Sequence, residues 1–297
     1  MPCADCHLSD VKYLAGDTAA RYFDYTSGIL FVIPKTETKE CVLTAFETGF
    51  RHIDTAQSYF NEAEVGEAIA ASGLDRRDVF VTTKVWIDNY GAGRTRDSVL
   101  RSLDRLRSDY IDLVLLHQPF NDYYAAWRDL IALQQEGRIR AIGVSNFSTG
   151  RAADLAAFTG VTPALNQIEA NPLHQRADEQ KALAARGIRT GAWAPFGEGK
   201  SGILDNPELA RIAAEHGRTV AQAILRWLVQ RGIAVLTKST HANRIRENFG
   251  IFDFTLTDDD MTAIARLDSG SSVFFDYDAP ETVDLFMRLV DERKGLA

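Results

Sequence analysis

Cysteine is scarce, with three in 297 residues at positions 3, 6 and 41. Three thiols do not make a disulfide framework, and a reducing, cytoplasmic setting is the expectation. Long apolar runs are missing too. None approaches the roughly 20 residues a helix needs to cross a bilayer, so no membrane role is expected. The first residues show neither a basic nor an apolar signal region, so export is not expected. Positive charge is not in excess: the formal net charge is −8, which argues against a nucleic-acid partner. No Pro/Gly/Ser-rich linker and no low-complexity tract divides the chain, which is long enough for one large core. No convincing Gly-x-Gly-x-x-Gly fingerprint is found, which disfavours a doubly wound dinucleotide-binding fold.

What is present is a series of short apolar runs, each ending in a residue type that does chemistry. Ile53 leads into Asp54, Val79 to Thr83 into Lys84, Ile111 to Leu116 into His117, and Ile139 to Val144 into Ser145-Asn146. Ala164 to Asn166 leads into Gln167, Ile188 to Ala192 into Trp193, and Ile233 to Leu236 into Thr237-Lys238. Between them, Glu62–Ile69, Thr95–Leu106, Tyr124–Gln135 and Val220–Leu228 read as helices. Strand-length runs alternating with helices imply parallel βα units, and runs apolar throughout suit strands covered on both faces. The predicted fold is an α/β (β/α)8 TIM barrel over residues 28–297, with a C-terminal tail over the face where strand ends and active sites lie. Residues 1–27 form an atypical N-terminal segment, read as a hairpin plug around Ala15-Gly16-Asp17 or as partly disordered chain.

Asp54, Tyr59, Lys84 and His117 fall on or just after three successive strand ends. A phenol with a pKa near ~10 is a poor proton donor at neutral pH unless its surroundings tune it. An ammonium group beside it favours the phenolate, and a carboxylate keeps that ammonium charged and fixed. A neutral imidazole can orient a substrate oxygen. Together the four suit a proton relay for reducing a carbonyl or oxidising an alcohol. Each alone also fits a structural job: Asp54 as a helix cap, Lys84 as a salt-bridge partner, Tyr59 in packing, His117 as a satisfied strand-end histidine.

The stretch Gly49-Phe50-Arg51-His52-Ile53-Asp54-Thr55-Ala56, with Tyr59 and Asn61-Glu62, resembles the aldo-keto reductase signature. So do Leu115-Leu116-His117-Gln118-Pro119, Ile142 to Phe147, and Thr237-Lys238-Ser239 with Arg244-Ile245 and Glu247-Asn248-Phe249. The resemblance runs from about Ile33 to Leu285 and is nearest the bacterial 2,5-diketo-D-gluconate reductase type, through Pro119 to Tyr124 and Val273 to Asp276. It implies Tyr59 as general acid, Lys84 and Asp54 as its tuning pair, His117 as carbonyl orienter, and a nicotinamide cofactor held without a Gly-rich loop.

Read physically, Ser145, Asn146 and Gln167 suit a carboxamide, and Trp193 offers a flat face to a ring; each could instead serve the core. Lys238, Ser239 and Arg244 can clamp a phosphate. Arg244, Glu247 and Asn248, one helical turn apart, could reach an adenine end. With the family match, a 2′-phosphate clamp and NADPH preference are expected. Trp86, Phe120, Tyr123, Phe274, Phe275 and Tyr277 could wall an apolar substrate pocket. The first strand departs from the family pattern. Thr26 to Val32 keeps one glycine, Gly28, where the family shows a Leu-Gly-x-Gly stretch, which bears on close backbone approach to the nicotinamide. Cys3-Ala4-Asp5-Cys6-His7 formally matches a haem-attachment pattern, but without an export signal it reads as a chance match; no metal is expected.

The leading expectation is an NADPH-dependent reductase of small aldehydes or ketones, acting as a monomer. A nucleotide-sensing or partner subunit of the same fold, and an enzyme dedicated to one metabolite, are the alternatives.

Overall fold

A computed structural model of the chain describes the backbone of residues 27–30 and all of residues 33–294. The expected hairpin and the Cys3–His7 stretch lie outside the described residues, as does residues 1–27 but for Ser27. Eight parallel strands close into a barrel in chain order. They are β1 (Ser27–Leu30), β2 (His52–Asp54), β3 (Phe80–Val85), β4 (Ile111–Leu116), β5 (Ile139–Ser145), β6 (Leu165–Glu169), β7 (Arg189–Trp193) and β8 (Ala234–Thr237). Helices α1 (Lys35–Thr48), α2 (Glu62–Ala71), α3 (Arg94–Leu106), α4 (Tyr123–Gln135), α5 (Thr149–Thr159) and α6 (Ala177–Ala184) each follow one strand. After β7 come α7 (Pro207–Glu215) and α8 (Val220–Gln230). After β8 come α9 (Ala242–Phe249), α10 (Asp258–Ala265) and α11 (Pro280–Arg293).

Strand parity explains what the barrel encloses. Side chains two residues apart share a face. Phe80, Leu113, Leu115, Ala141, Leu165 and Ala234 form one buried cluster inside the barrel. The same parity carries β3 from Phe80 through Thr82 to Lys84, β4 from Leu115 to His117, β5 from Ala141 to Ser145, and β6 from Leu165 to Gln167. One turn of alternation thus converts an apolar floor into a polar top. The opposite parity, including Ile53, Val81, Val85, Val114 and Leu116, packs outward on the helices.

Tight spots are met by missing side chains. A Cβ on Gly143 would stand 2.6 Å from the Leu165 carbonyl oxygen and 2.7 Å from a Leu115 methyl, so β5 approaches its neighbours only as glycine. At α8, Thr219 and Gln222 form a reciprocal capping box that starts the helix at its expected residue.

The first strand keeps its place. Leu30 is in register with Asp54 of β2, while Ile29 is in register with Thr237 of β8. Its loss of a glycine leaves the ladder intact, because pairing uses backbone groups alone. The end of β1 therefore stands between the Asp54 rim and the Lys238 rim.

Candidate active site

Asp54 is fully buried at the top of β2. One carboxylate oxygen accepts a hydrogen bond from the Lys84 ammonium, and the other accepts from Gln167 Nε2 at 2.9 Å. Lys84, 1% exposed, also donates to the Thr55 carbonyl at 3.1 Å. Burial pushes the Asp54 carboxyl up and the Lys84 ammonium down, and their mutual charge and hydrogen bond oppose both shifts.

Tyr59 ends a short 3-10 turn, Gln57–Tyr59, directly after β2. Gln57 anchors that turn: it accepts from the Trp86 amide and Asn89, and donates to Ser98 and Ser102 of α3. The phenol ring lies with its centroid 5.1 Å from Lys84 Nζ and meets the His117 ring edge-on at 5.7 Å. Its pKa is raised well above the usual value by burial first, then by the charges of Asp54 and Glu198. This differs from the expected lowering by the ammonium. Lys84 directs its charge at Asp54, and burial of the phenol outweighs what reaches Tyr59.

His117 is buried, and its pKa falls well below the usual value through desolvation, then the charges of Lys84 and Arg293. The imidazole is therefore neutral, with Ser58 Oγ 3.4 Å from Nδ1. The Trp86 ring stands edge-on to it at 5.2 Å.

Ser145, Asn146, Gln167 and Trp193 come together beside these groups. They share with Tyr59 and His117 the lining of a cavity of about 140 Å³. Asn146, held at φ 64°, accepts from Trp193 Nε1 at 2.8 Å and donates to the His117 carbonyl at 3.2 Å. Ser145 Oγ donates to the Gln167 carbonyl at 2.9 Å.

A second cavity, of about 380 Å³, opens between the loop after β7 and the start of α9, lined by Lys238, Ser239 and Arg244 among others. Lys238 and Arg244 are exposed and form no ion pair among the described residues. Glu247 and Asn248 do not line it. The Glu247 carboxylate instead accepts from Thr219 Oγ1 at 2.6 Å, and Asn248 is buried within α9.

Of the expected pocket walls, Phe275 and Tyr277 line the small cavity, and Trp86 adjoins it through His117. Phe120 packs on Tyr277 and Phe286, Phe274 stands edge-on to Trp193, and Tyr123 turns away to Tyr124 and Phe147.

Three contributors escaped the sequence reading. Ser58 and Gln57 support the turn that bears Tyr59. Glu198 lines both cavities from the loop after β7 at φ 49°. That loop, Gly197-Glu198-Gly199-Lys200-Ser201-Gly202, has Gly-x-Gly-x-x-Gly spacing. It leads into a short 3-10 turn, Ile203–Asp205, on a closed barrel, so the spacing marks a left-handed loop and not a doubly wound fold. Among the described residues no group of three or more His, Cys, Asp or Glu side chains could hold a metal, and no helix is long and apolar enough to cross a membrane.

Comparison with known proteins places this geometry. The model of the aldo/keto reductase family matches residues 30–269. The methylglyoxal reductase DkgA of Escherichia coli K12 is 42% identical over 229 residues, spanning 76% of this chain and 82% of that protein. An aldo/keto reductase structure from Brucella melitensis superposes with a TM-score of 0.79 at 43% identity, covering 82% of this chain and 93% of the other. A Bombyx mori aldo-keto reductase solved in complex with NADP gives a TM-score of 0.79 at 33% identity, over 84% and 91% of the two chains.

Proposed function

The chain belongs to the aldo/keto reductase family of NAD(P)H-dependent oxidoreductases, and on that premise we propose that it reduces small aldehydes or ketones with NADPH, Tyr59 supplying the proton. The observation that carries this reading is the buried Asp54–Lys84 pair beside the half-buried phenol of Tyr59 and a neutral His117.

The donor set suits the cofactor. Lys238 and Arg244, unpaired among the described residues, offer two cations to a 2′-phosphate, which favours NADPH over NADH. Asn146, Gln167 and Ser145 suit a carboxamide, and Trp193 a ring face. Glu247 and Asn248 support α9 behind Arg244 rather than reach the cavity. When bound, the nicotinamide supplies the hydride to the carbonyl carbon.

The remaining work falls to the chain. With Ser58 donating to Nδ1, His117 keeps its proton on Nε2 and donates it to the carbonyl oxygen. Tyr59, whose raised pKa keeps its proton on through the neutral range, passes that proton to the oxygen as it gains charge. Lys84 beside the ring stabilises the phenolate left behind, and Asp54 holds Lys84 charged and in place. In alcohol oxidation the phenolate takes the proton back. Trp86, Phe120, Phe275 and Tyr277 wall off the apolar side of the substrate. The relative named a methylglyoxal reductase supports a small dicarbonyl as one substrate. A closed barrel leaves no strand edge to pair, which supports a monomer; a cytoplasmic, small-molecule role completes the reading.

The test is NADPH consumption across aldehydes, keto acids, keto sugars and aromatic ketones. Turnover that falls about 10²- to 10⁴-fold in Tyr59→Phe is expected. Unchanged turnover in that variant would reject the mechanism, and tight NADPH binding with no turnover on any carbonyl would favour a sensing role.

A further inference from the structure

Strand β6 carries a carboxylate that the reaction does not use. Leu165, Gln167 and Glu169 share one parity, so the alternation that brings Gln167 to Asp54 sets Glu169 one step further up at the barrel mouth. Glu169 is 3% exposed. Among the described residues no cation forms an ion pair with it; Arg176, whose charge acts on it, pairs with Glu179 instead. A carboxylate buried without a cation is costly unless hydrogen bonds replace the lost water. Burial pushes its pKa up, and the Ser272 hydroxyl leads the groups that draw it back.

Ser272 belongs to the tail between α10 and α11. Its Oγ donates to Glu169 Oε2 at 2.5 Å, in the range of a charge-assisted O–H···O⁻ bond. The same oxygen accepts from the Phe274 and Phe275 amides at 2.9 and 3.2 Å. One hydroxyl thus ties the barrel mouth to the turn that carries the aromatic wall. Phe275 and Tyr277 line the catalytic cavity, and Phe274 stands edge-on to Trp193 at 5.1 Å. On either side the tail is held by exposed groups: Ser269 donates to the Leu173 carbonyl, and Asp278 pairs with Arg151. Between them, the Ser272 tie ends on a buried acceptor.

We infer that Glu169 is a positioning residue, which acts through Ser272 to fix Phe274, Phe275 and Tyr277 at the catalytic cavity and so sets the preference for ring-bearing carbonyl substrates over small ones. A ring-bearing aldehyde is held by that wall, whereas a small one needs little of it. This rests on the carbonyl-reductase reading above.

The experiment measures NADPH-dependent reduction of 2-naphthaldehyde and of propanal in wild type, Ser272→Ala, Ser272→Thr and Glu169→Gln. Ser272→Ala should cut the ratio of kcat/KM for 2-naphthaldehyde over propanal about 10-fold, the worth of a hydrogen bond to a charged group, through KM rather than kcat. Ser272→Thr keeps the hydroxyl and should restore most of the ratio. Glu169→Gln leaves one acceptor oxygen for two donors, Ser272 and Asn171, and should lower the ratio too. The double variant should lose no more than Ser272→Ala alone, since both changes cut one tie. A ratio unmoved in Ser272→Ala, or losses that add in the double variant, would overturn the inference. Hydrogen exchange reads the tie without turnover. The Phe274 and Phe275 amides should exchange about 10-fold faster in Glu169→Gln, although neither bonds to that residue directly, and wild-type exchange there would overturn the inference as well. Absence of turnover on every carbonyl would instead reject the reading of the site itself, with exchange still deciding whether Glu169 holds the tail.

Discussion

The rim built by β2, β3 and β4 and the rim built by β7, β8 and α9 are opposites. On the first, polar groups answer one another. Both oxygens of Asp54 are taken, Lys84 has two acceptors, and Gln57 makes four hydrogen bonds. On the second, Lys238 and Arg244 face a cavity of about 380 Å³ with no carboxylate paired to either among the described residues, under a loop with Ala194, Gly197, Glu198, Gly199 and Gly202 all at positive φ. A rim that satisfies itself holds reacting groups in one geometry before anything binds. A rim of unpaired cations beside a left-handed loop suits a charged ligand. The Brucella and Bombyx relatives share the overall frame.

Substitutions at the two rims should break in different currencies. The largest effect is expected from Lys84→Met, which strands a fully buried carboxylate. Losing one partner of such a pair costs about 3–5 kcal/mol of stability, read by chemical denaturation, alongside a loss of kcat. Little change in the denaturation midpoint would mean that Asp54 takes up a proton at small cost, and the first rim would not be self-satisfied in the sense described.

Next in size is Arg244→Ala. Stability should stay within about 0.5 kcal/mol, as for an exposed side chain without a partner. NADPH affinity should fall about 10- to 100-fold, the worth of a charged hydrogen-bonding contact, while NADH affinity stays put. Equal wild-type affinities for NADH and NADPH, measured by fluorescence titration, would remove the 2′-phosphate clamp from the account.

The pH profile is a milder probe of the first rim. Tyr59 is shifted up and His117 down, so the forms needed for reduction, neutral phenol and neutral imidazole, coexist across a wide window. Reductive kcat/KM should be level from about pH 6 through the ordinary phenol range near about pH 10 and fall only above it, as Tyr59 loses its proton. Alcohol oxidation should show the opposite slope, rising with pH. A reductive rate that fell through the ordinary histidine range would contradict a depressed His117.

Smallest is Thr219→Ala. It removes the α8 cap and the hydroxyl that holds Glu247. About 1 kcal/mol of stability should go with the cap. NADPH affinity should change by no more than a few-fold, because Glu247 supports α9 from behind the cavity. A loss matching that of Arg244→Ala would move Glu247 into the binding rim.

Most of the first rim could be read from residues in order. Apolar runs ending in Asp54, Lys84 and His117 carry strand parity in plain view, and parity decides which side chains share the barrel top. The ion pair between Asp54 and Lys84 follows from adjacent strands. Loops were less legible, because their path depends on backbone conformations that side-chain periodicity does not encode. Glu198 at positive φ, and Ser58 behind His117, are of this kind. The rise in the Tyr59 pKa was missed because it reflects burial by the tail and its neighbours, which only the folded chain brings together. Glu247 and Asn248 show a further limit. One helical turn sets which way a side chain leaves α9, but the Thr219 hydroxyl on another helix decides where it ends.

The most direct test of a division between chemistry and binding is stopped-flow single turnover of NADPH-loaded Tyr59→Phe with a reducible aldehyde, with NADPH affinity measured on the same sample. The account predicts affinity within about two-fold of wild type and hydride transfer slowed by about 10² or more. Hydride transfer at the wild-type rate, or an affinity that collapses together with the rate, would contradict it.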